Sequence, residues 1–402
     1  MNNKIKWMII TYICLMQQCI LANSHNKQFP ECRKLIHMNI KNEFKNLKTN
    51  KITKEHFKKI QKLPKEILSQ LGVLHVQIIN NKVYTDYSGM GELDSPKTVF
   101  EYLKHVEDAA QKHGIKNLQM YLHVNDDIIV HHSSTVNQII SSIPMFHFNK
   151  LLNKTEYNNI IQLPDPFLFD NWDKLIDKIK KANCKYKWDQ KAEKIFWRGS
   201  PTRREYSIRR IQYLPRVILV TLSILYPHFI DAKFTGPAYY EKNEFGKKLK
   251  EFIEIVNSGC ELEHFPEEEH LKYKYLVSID GNAAAWKRVP WIMLSNSVLF
   301  LQHKFVQYFY PAMKPWVHYV PLKDDISDIF DKFCWAKENE KKVQEISSNA
   351  TFLVEQCLMP QHLEEDLVLI LNEYAKMQTF TITKPTLPPL QSDTNIRIFS
   401  KH

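Results

Sequence analysis

The chain has 402 residues, which at about 150 residues per domain predicts two or three domains and excludes a small disulfide-stapled module. Hydrophobic residues at 44% and charged residues at 25% are those of a globular protein and exclude wholesale disorder. Fifty-five Lys and Arg against 44 Asp and Glu leave a net charge of +11, which suits an anionic partner such as a nucleic acid, a membrane surface or a phosphorylated small molecule. The excess Lys is spread along the chain rather than gathered in one run, which argues against nucleic acid.

Lys4 and Lys6 precede an apolar run from Trp7 to Leu15, and small residues follow at Ala22 and Ser24. This is the layout of a secretory signal peptide over residues 1–24; the run is short of the roughly 20 residues a membrane span needs. Cys32, Cys184, Cys260, Cys334 and Cys357 then remain, with no C-x-x-C pair to suggest zinc or a redox motif. Two disulfides and a spare thiol are compatible with an oxidising lumen, and the pairing is not readable. Asn153-Lys-Thr155 and Asn349-Ala-Thr351 are glycosylation acceptor motifs.

Residues 25–70 carry helical spacing, and residues 73–87 read as two strands around Asn80-Asn81, a hairpin signal. Ser95-Pro96 opens a helix that ends before Gly114, and strand 118–124 follows, delivering Asn125-Asp126-Asp127 at its carboxyl end. The rhythm resumes with strand 195–197, a helix through Leu225, strands 229–235 and 275–279, a turn at 280–282, a helix over 284–294, and strands 298–301 and 317–321. Helical stretches over 325–358 and 363–377 close the fold, and the Pro-rich tail from Lys384 reads as loose. Strands and helices alternating in two blocks predict two Rossmann-like sheets facing a cleft.

Ligands of open α/β sheets sit outside the carboxyl ends of the strands. Asp126, leaving strand 118–124, can serve there as a general base; a solvated turn aspartate is the plainer alternative. His123, His131 and His132 lie near the Asp pair, but no helix-spaced metal motif accompanies them. Phe196-Trp197-Arg198-Gly199-Ser200 places an Arg, a Gly and a hydroxyl just past a strand, where they can converge on phosphate oxygens. Asp280-Gly281-Asn282-Ala283-Ala284-Ala285-Trp286-Lys287-Arg288 repeats the pattern, with small residues for close approach and two cations against a diphosphate. It is not the G-x-G-x-x-G of dinucleotide sites, which disfavours NAD.

Taken in order, 143–148, 196–200, 231–235, 272–276, 284–298, 309–311 and 314–321 resemble the Rumi-type protein O-glucosyltransferase and capsule-associated, lipopolysaccharide-modifying glycosyltransferase family, to which the KDEL-motif-containing proteins also belong. The resemblance implies a GT-B-like α/β fold of two Rossmann-like domains, with C-terminal helices packing back across. The expected partition is an acceptor-side domain over 25–190, a nucleotide-sugar domain over 191–360, a closing helix over 361–384 and a tail over 385–402. It also implies metal-independent, inverting transfer from a UDP-sugar, most often UDP-glucose with xylose as the alternative, to a hydroxyl; with the leader-like N-terminus the expected place is the endoplasmic reticulum lumen of the secretory pathway, the alternatives being secretion or a periplasm. The acceptor is a protein such as an EGF-like repeat, or a glycan.

By position, Asp126 matches the family's catalytic aspartate, Ser200 a donor-binding serine, Ala283 to Arg288 the donor segment, and Arg288 the diphosphate-binding arginine. Arg198 and Arg204 (or Arg203, where the alignment slips) are the further basic donor contacts. Pro164, Asp165, Phe167 and Phe169 stand where relatives contact the acceptor. Asp127-Ile128-Ile129 replaces the aromatic and Pro that follow the aspartate in Rumi-type members, which puts the acceptor side of the cleft outside the family pattern. The C-terminus carries no Lys-Asp-Glu-Leu type retrieval signal.

Overall fold

The structure is a computed structural model that describes residues 29–47, 51–64, 67–68, 72–86, 96–125, 139, 142–152, 158–201, 213–235, 251–255, 257 and 264–390. The signal-peptide reading, Asp126, Arg203 and Arg204 lie outside these residues.

Helices α1 (Phe29–Lys45) and α2 (Lys54–Gln61) lead into β1 (Val73–Ile79) and β2 (Lys82–Asp86), joined through Asn80 and Asn81. Both asparagines have positive φ, 50° and 66°, the left-handed pair that a two-residue hairpin turn requires and that Asn tolerates. Helix α3 (Pro96–His113), β3 (Leu118–His123), β4 (Met145–His147), β5 (Lys150–Leu151), β6 (Ile160–Gln162) and α4 (Trp172–Lys185) complete the N-terminal half. Its sheet runs β2-β1-β3-β4-β6. The β3-β4-β6 side is parallel, whereas β1 pairs antiparallel with both β2 and β3, because a tight hairpin can only reverse the chain.

The second half holds β7 (Ala192–Gly199), α5 (Pro215–Leu225), β8 (Ile230–Phe234), α6 (Glu267–His270), β9 (Tyr273–Ile279), α7 (Arg288–Leu294), β10 (Val298–Gln302), β11 (Phe305–Val306) and β12 (Val320–Pro321). Strands β12-β10-β9-β7-β8 form a second, wholly parallel sheet. Its inner strands β9 and β10 are buried almost throughout because both faces are covered, whereas the edge strand β8 alternates, with Asp231 and Lys233 only half-buried. Ile195, Trp197, Tyr275, Val277 and Phe300 pack on the face under α5 and helix α8 (Ile329–Glu338). The alternate residues Phe196, Leu276, Leu299 and Leu301 belong to a second core, which runs continuously into the N-terminal sheet. The period-two geometry of a strand thus joins both halves through one layer of side chains.

Helices α9 (Glu340–Cys357) and α10 (Pro360–Met377) pack back across that shared core. The indole N–H of Trp172 donates to the Leu358 carbonyl at 2.7 Å. Arg33 of α1 pairs with the fully buried Asp366 of α10 at 2.9 Å. The Cys32 thiol of α1 is in hydrogen-bond contact with that of Cys357 at the end of α9, and this contact, more than burial, pushes the Cys357 thiol up.

Four expectations are corrected. The helix expected over 284–294 begins only at Arg288, because Trp286 has φ 48°, a conformation no α-helix contains. The strand expected over 317–321 is reduced to two residues, because Trp316 at φ 65° folds 314–319 into a turn closed by the Pro315–Tyr319 bridge. The long helical stretch over 325–358 is two helices, broken at Asn339. The tail is not loose as far as Leu390: Thr85 N–H donates to the Pro388 carbonyl at 2.9 Å, Leu390 N–H to Val83 at 3.0 Å, and the Thr386 backbone and hydroxyl bond the Gln77 amide. An edge strand leaves unpaired backbone groups, and here the extended chain covers those of β2.

The Asn349 acceptor motif lies inside α9 with its Thr351 hydroxyl donating to Met293 at 2.9 Å; the Asn153 motif falls outside the described residues.

Candidate active site

The carboxyl edge of the parallel sheet is held by side chains bound to strand-end carbonyls. Arg216, on the first turn of α5, donates to the Ser200 carbonyl at 2.7 Å and to the Ile279 carbonyl at 2.8 Å, clamping the ends of β7 and β9. Arg288 donates to the Arg198 carbonyl at 2.6 Å. Among the described residues no carboxylate lies within ion-pair distance of Arg288. Burial and the neighbouring Arg216 push its guanidinium down to about 10, with Glu267 pulling the other way; it stays charged at neutral pH. Desolvating a cation without a paired anion is costly, so this corner is prepared for an anion.

Arg198, expected as a phosphate contact, is committed elsewhere. Its guanidinium pairs with Asp231 at 2.7 Å, donates to the Trp197 and Asp231 carbonyls, and stacks 4.2 Å over Phe196. Asp231 is held in turn by the Tyr273 hydroxyl at 3.0 Å. The structure therefore gives Arg198 a positioning role: its carbonyl, not its side chain, meets Arg288. Gly199 is required at this edge, because a Cβ would stand 2.6 Å from the Trp197 ring.

The donor segment is brought against the acceptor-side segment. Ala283 and Ala284 are buried, and Ala285 to Arg288 are half-buried. The left-handed backbone at Trp286 turns its indole across the cleft, where it lies 5.7 Å from the Phe167 ring and 6.4 Å from Phe148. Strain of this kind, about 1–3 kcal/mol for a non-glycine residue, persists where surrounding contacts over-determine it. Because the helix starts only at Arg288, Ala283 to Ala285 offer no helix-terminal N–H groups.

Of the acceptor-side residues, Phe167 and Phe169 are half-buried, but Pro164 is buried and Asp165 is fully so. Asp165 therefore cannot touch an acceptor directly. Its carboxylate caps a short 3-10 turn over 166–168 by accepting the Phe167 N–H at 2.8 Å, and accepts the Gln307 amide at 3.1 Å, tying the two halves together. Burial raises its pKa to about 7, against the lowering effect of those bonds and of Lys287.

Across the cleft, the end of β3 is fixed by residues that spacing alone does not single out. His147 is fully buried; its Nε2–H donates to the Asn125 carbonyl at 2.9 Å and its Nδ1 accepts the Asn149 backbone N–H at 3.0 Å. Burial pushes the ring down to about 4, so it is neutral. The Val124 N–H donates to the Gly72 carbonyl at 2.8 Å, and Gly72, at φ 60°, has no Cβ to strike the Asn125 side chain 2.4 Å away. Asn125 is the residue immediately before Asp126. Arg216 and His147 were missed as site residues because the first sits in a stretch that reads as a buried helix and the second in an apolar strand.

The glycosyl transferase family 90 model matches residues 27–389, and the chain belongs to that family. It is 28% identical over 337 residues to mouse protein O-glucosyltransferase 3 and 27% over 338 to the human protein, covering 79% and 80% of this chain. Rat protein O-glucosyltransferase 1 is 26% identical over 264 residues, 60% of this chain and 59% of that one. The chain spans 59% of the length of the mouse and human relatives. Among solved structures, a glycosyltransferase from Rickettsia africae ESF-5 superposes with a TM-score of 0.39 at 12% identity, over 62% of this chain and 69% of that one. Anabaena Alr3699/HepE in complex with UDP and glucose gives 0.41 at 12%, over 66% and 74%.

Proposed function

We propose that this family 90 chain is an inverting glycosyltransferase that moves a sugar, glucose in the first instance, from UDP to a hydroxyl of a protein serine, without a metal. The observation that carries the reading is the corner made by Arg288 and Arg216 at the carboxyl edge of the parallel sheet. As the sugar–phosphate bond breaks, negative charge grows on the departing diphosphate and positive charge on the anomeric carbon. Arg288 supplies a fixed, partly desolvated cation at that edge, so charge stabilisation needs little reorganisation. Ser200, half-buried beside it, is the donor-binding hydroxyl, and Ala283 to Lys287 line the approach. Arg204 is kept as a further donor contact.

Asp126 is the general base. His147 and Gly72 fix the backbone one residue before it, so that it follows a rigid strand end. Removing the acceptor proton as the hydroxyl attacks the face opposite UDP gives inversion in one displacement. Phe167 and Phe169 form the accessible acceptor wall, while Asp165 positions them. The acceptor-side domain is 25–190 and the donor domain 191–360. The N-terminal run directs the chain to the lumen of the secretory pathway; among the described residues no helix is long and apolar enough to cross a membrane.

The test is release of UDP from a panel of UDP-sugars with an EGF-like acceptor, in chelator, by the protein and by Asp126→Asn. Turnover that survives chelation and is lost in the variant supports the reading. Turnover that requires a divalent ion overturns its metal-independent part, and full activity in the variant overturns the base.

A further inference from the structure

A cavity of about 750 Å³ opens between α1, the paired strands β5 and β11, and the turn at 310–319. Gln162 at the carboxyl end of β6 and His303 just past β10 stand in its wall, and its volume falls within the roughly 300–1,000 Å³ of small-molecule sites. None of the Arg288 corner residues lines it, and its one link to the acceptor side is Gln307, whose amide donates to Asp165.

Its lining has an unusual chemistry. Six carboxamides line it, Asn39, Asn42, Asn46, Asn158, Gln162 and Gln307, of which Asn39, Gln162 and Gln307 each already donate one N–H, to the Tyr308 and Val306 carbonyls and to Asp165. Asn42 stands in the last turn of α1 and Asn46 just past its end, its N–H donating to the Asn42 carbonyl at 2.9 Å, so the two are neighbours at helical spacing. The charged residues in the wall are Glu43 and Lys150, and they neutralise one another at 2.6 Å. Aromatic surface comes from His303, Tyr310 and Tyr319, with the His303 ring 5.4 Å from Tyr310 and 6.3 Å from Tyr319. The His303 Nδ1 faces the Phe305 carbonyl at 3.3 Å, which leaves Nε2 as an acceptor in the neutral ring. Among the described residues Gln307 Oε1 and the Tyr310 hydroxyl are buried without a hydrogen-bond partner, the state a site shows before its ligand arrives.

A nucleotide diphosphate needs uncompensated cations, and Lys150 is already paired. An apolar peptide would strand the carboxamides. Carboxamides both donate and accept, as sugar hydroxyls do, and ring faces pack against the C–H faces of a pyranose. We infer that this cavity is a binding subsite for a neutral saccharide, so that glycan as well as polypeptide is recognised beside the cleft. The inference deepens the acceptor side of the proposed function and rests on it for the identity of that cleft.

The experiment titrates the purified full chain with maltotriose, cellotriose and chitotriose, with trigalacturonic acid as the anionic comparison, by saturation-transfer NMR. UDP binding is measured separately by calorimetry. At least one neutral trisaccharide should bind saturably, and binding should weaken about tenfold in Asn42→Ala/Asn46→Ala, the loss of two hydrogen bonds. It should vanish in Asn42→Trp, which fills the mouth from an exposed helix position. UDP binding should be unchanged in both variants, which also reports that they fold. No binding by any neutral sugar, binding indifferent to both variants, or equal binding of the anionic sugar would overturn the inference. A chain that fails to bind UDP counts against the donor corner alone and does not alter the saccharide result.

Discussion

Replacing Asp165 by Asn isolates the electrostatic cost of the joint between the two halves. The carboxyl is fully buried, with pKa raised from 3.8 to about 7 by desolvation. Between those values the unfolded chain is ionised while the folded chain keeps its proton, so the folded state binds more protons and stability falls as pH rises. The contribution is complete below about pH 4 and lost as pH passes through about 7. At 1.36 kcal/mol per unit, a shift of about three units amounts to roughly 4 kcal/mol. Asp165→Asn keeps an oxygen for the Phe167 N–H, and Gln307, whose Oε1 has no partner, can turn to accept from the new amide. Urea unfolding of both proteins at pH 4, 5, 6, 7 and 8 gives the difference in stability at each pH, in which other titrating groups cancel. The variant should gain on the parent by roughly 4 kcal/mol across that range. A difference independent of pH, or one that moves in the parent's favour as pH rises, would refute the buried-acid account.

Arg288→Ala should weaken UDP binding by about 10–100-fold, the worth of a charged hydrogen-bonded contact, while thermal stability holds or rises because a desolvated cation is removed; calorimetry and a melting curve read the two. Cys32 and Cys357 should form a disulfide in oxidising buffer, detectable in a non-reduced peptide map. Closing so long a loop stabilises by up to about 5 kcal/mol on the chain-entropy relation, so reductant should lower the melting temperature of the parent and leave Cys32→Ser unmoved; a map showing other partners contradicts the pairing. Ending the chain at Lys384 removes four hydrogen bonds to β1 and β2 and should cost about 2–4 kcal/mol in urea unfolding. No loss would mean the edge cover contributes nothing.

Local chemistry was legible wherever one residue type dictated geometry. Asn80-Asn81 announced the turn between β1 and β2, and Gly114 a helix end. The donor segment could be proposed from the sequence because small residues followed by two cations are informative as a string. Long-range partners were not. Arg198 and Arg288 look alike in sequence, yet one is neutralised by Asp231, 33 residues on, and the other has no paired carboxylate among the described residues. Asp165 stands among the expected acceptor contacts until it is seen to be fully buried and bonded to Gln307, 142 residues away. Trp286 and Trp316 adopt positive φ with no glycine or asparagine to signal it, so a helix start and a strand were each drawn too long. The seal over the β2 edge depends on which strand is outermost, and that is a property of the topology.

The account's central claim is that a UDP-sugar is broken down at the Arg288 corner by attack of a hydroxyl deprotonated by Asp126. Its most direct test pairs two numbers on the same preparation: transfer from UDP-glucose to an acceptor, and the affinity for UDP, each for the parent and Asp126→Asn. The account predicts transfer reduced by about 10²–10⁴-fold, the usual contribution of a general base, with UDP affinity unchanged. Transfer at the parent's rate, or a loss of transfer matched by an equal loss of UDP affinity, would contradict it.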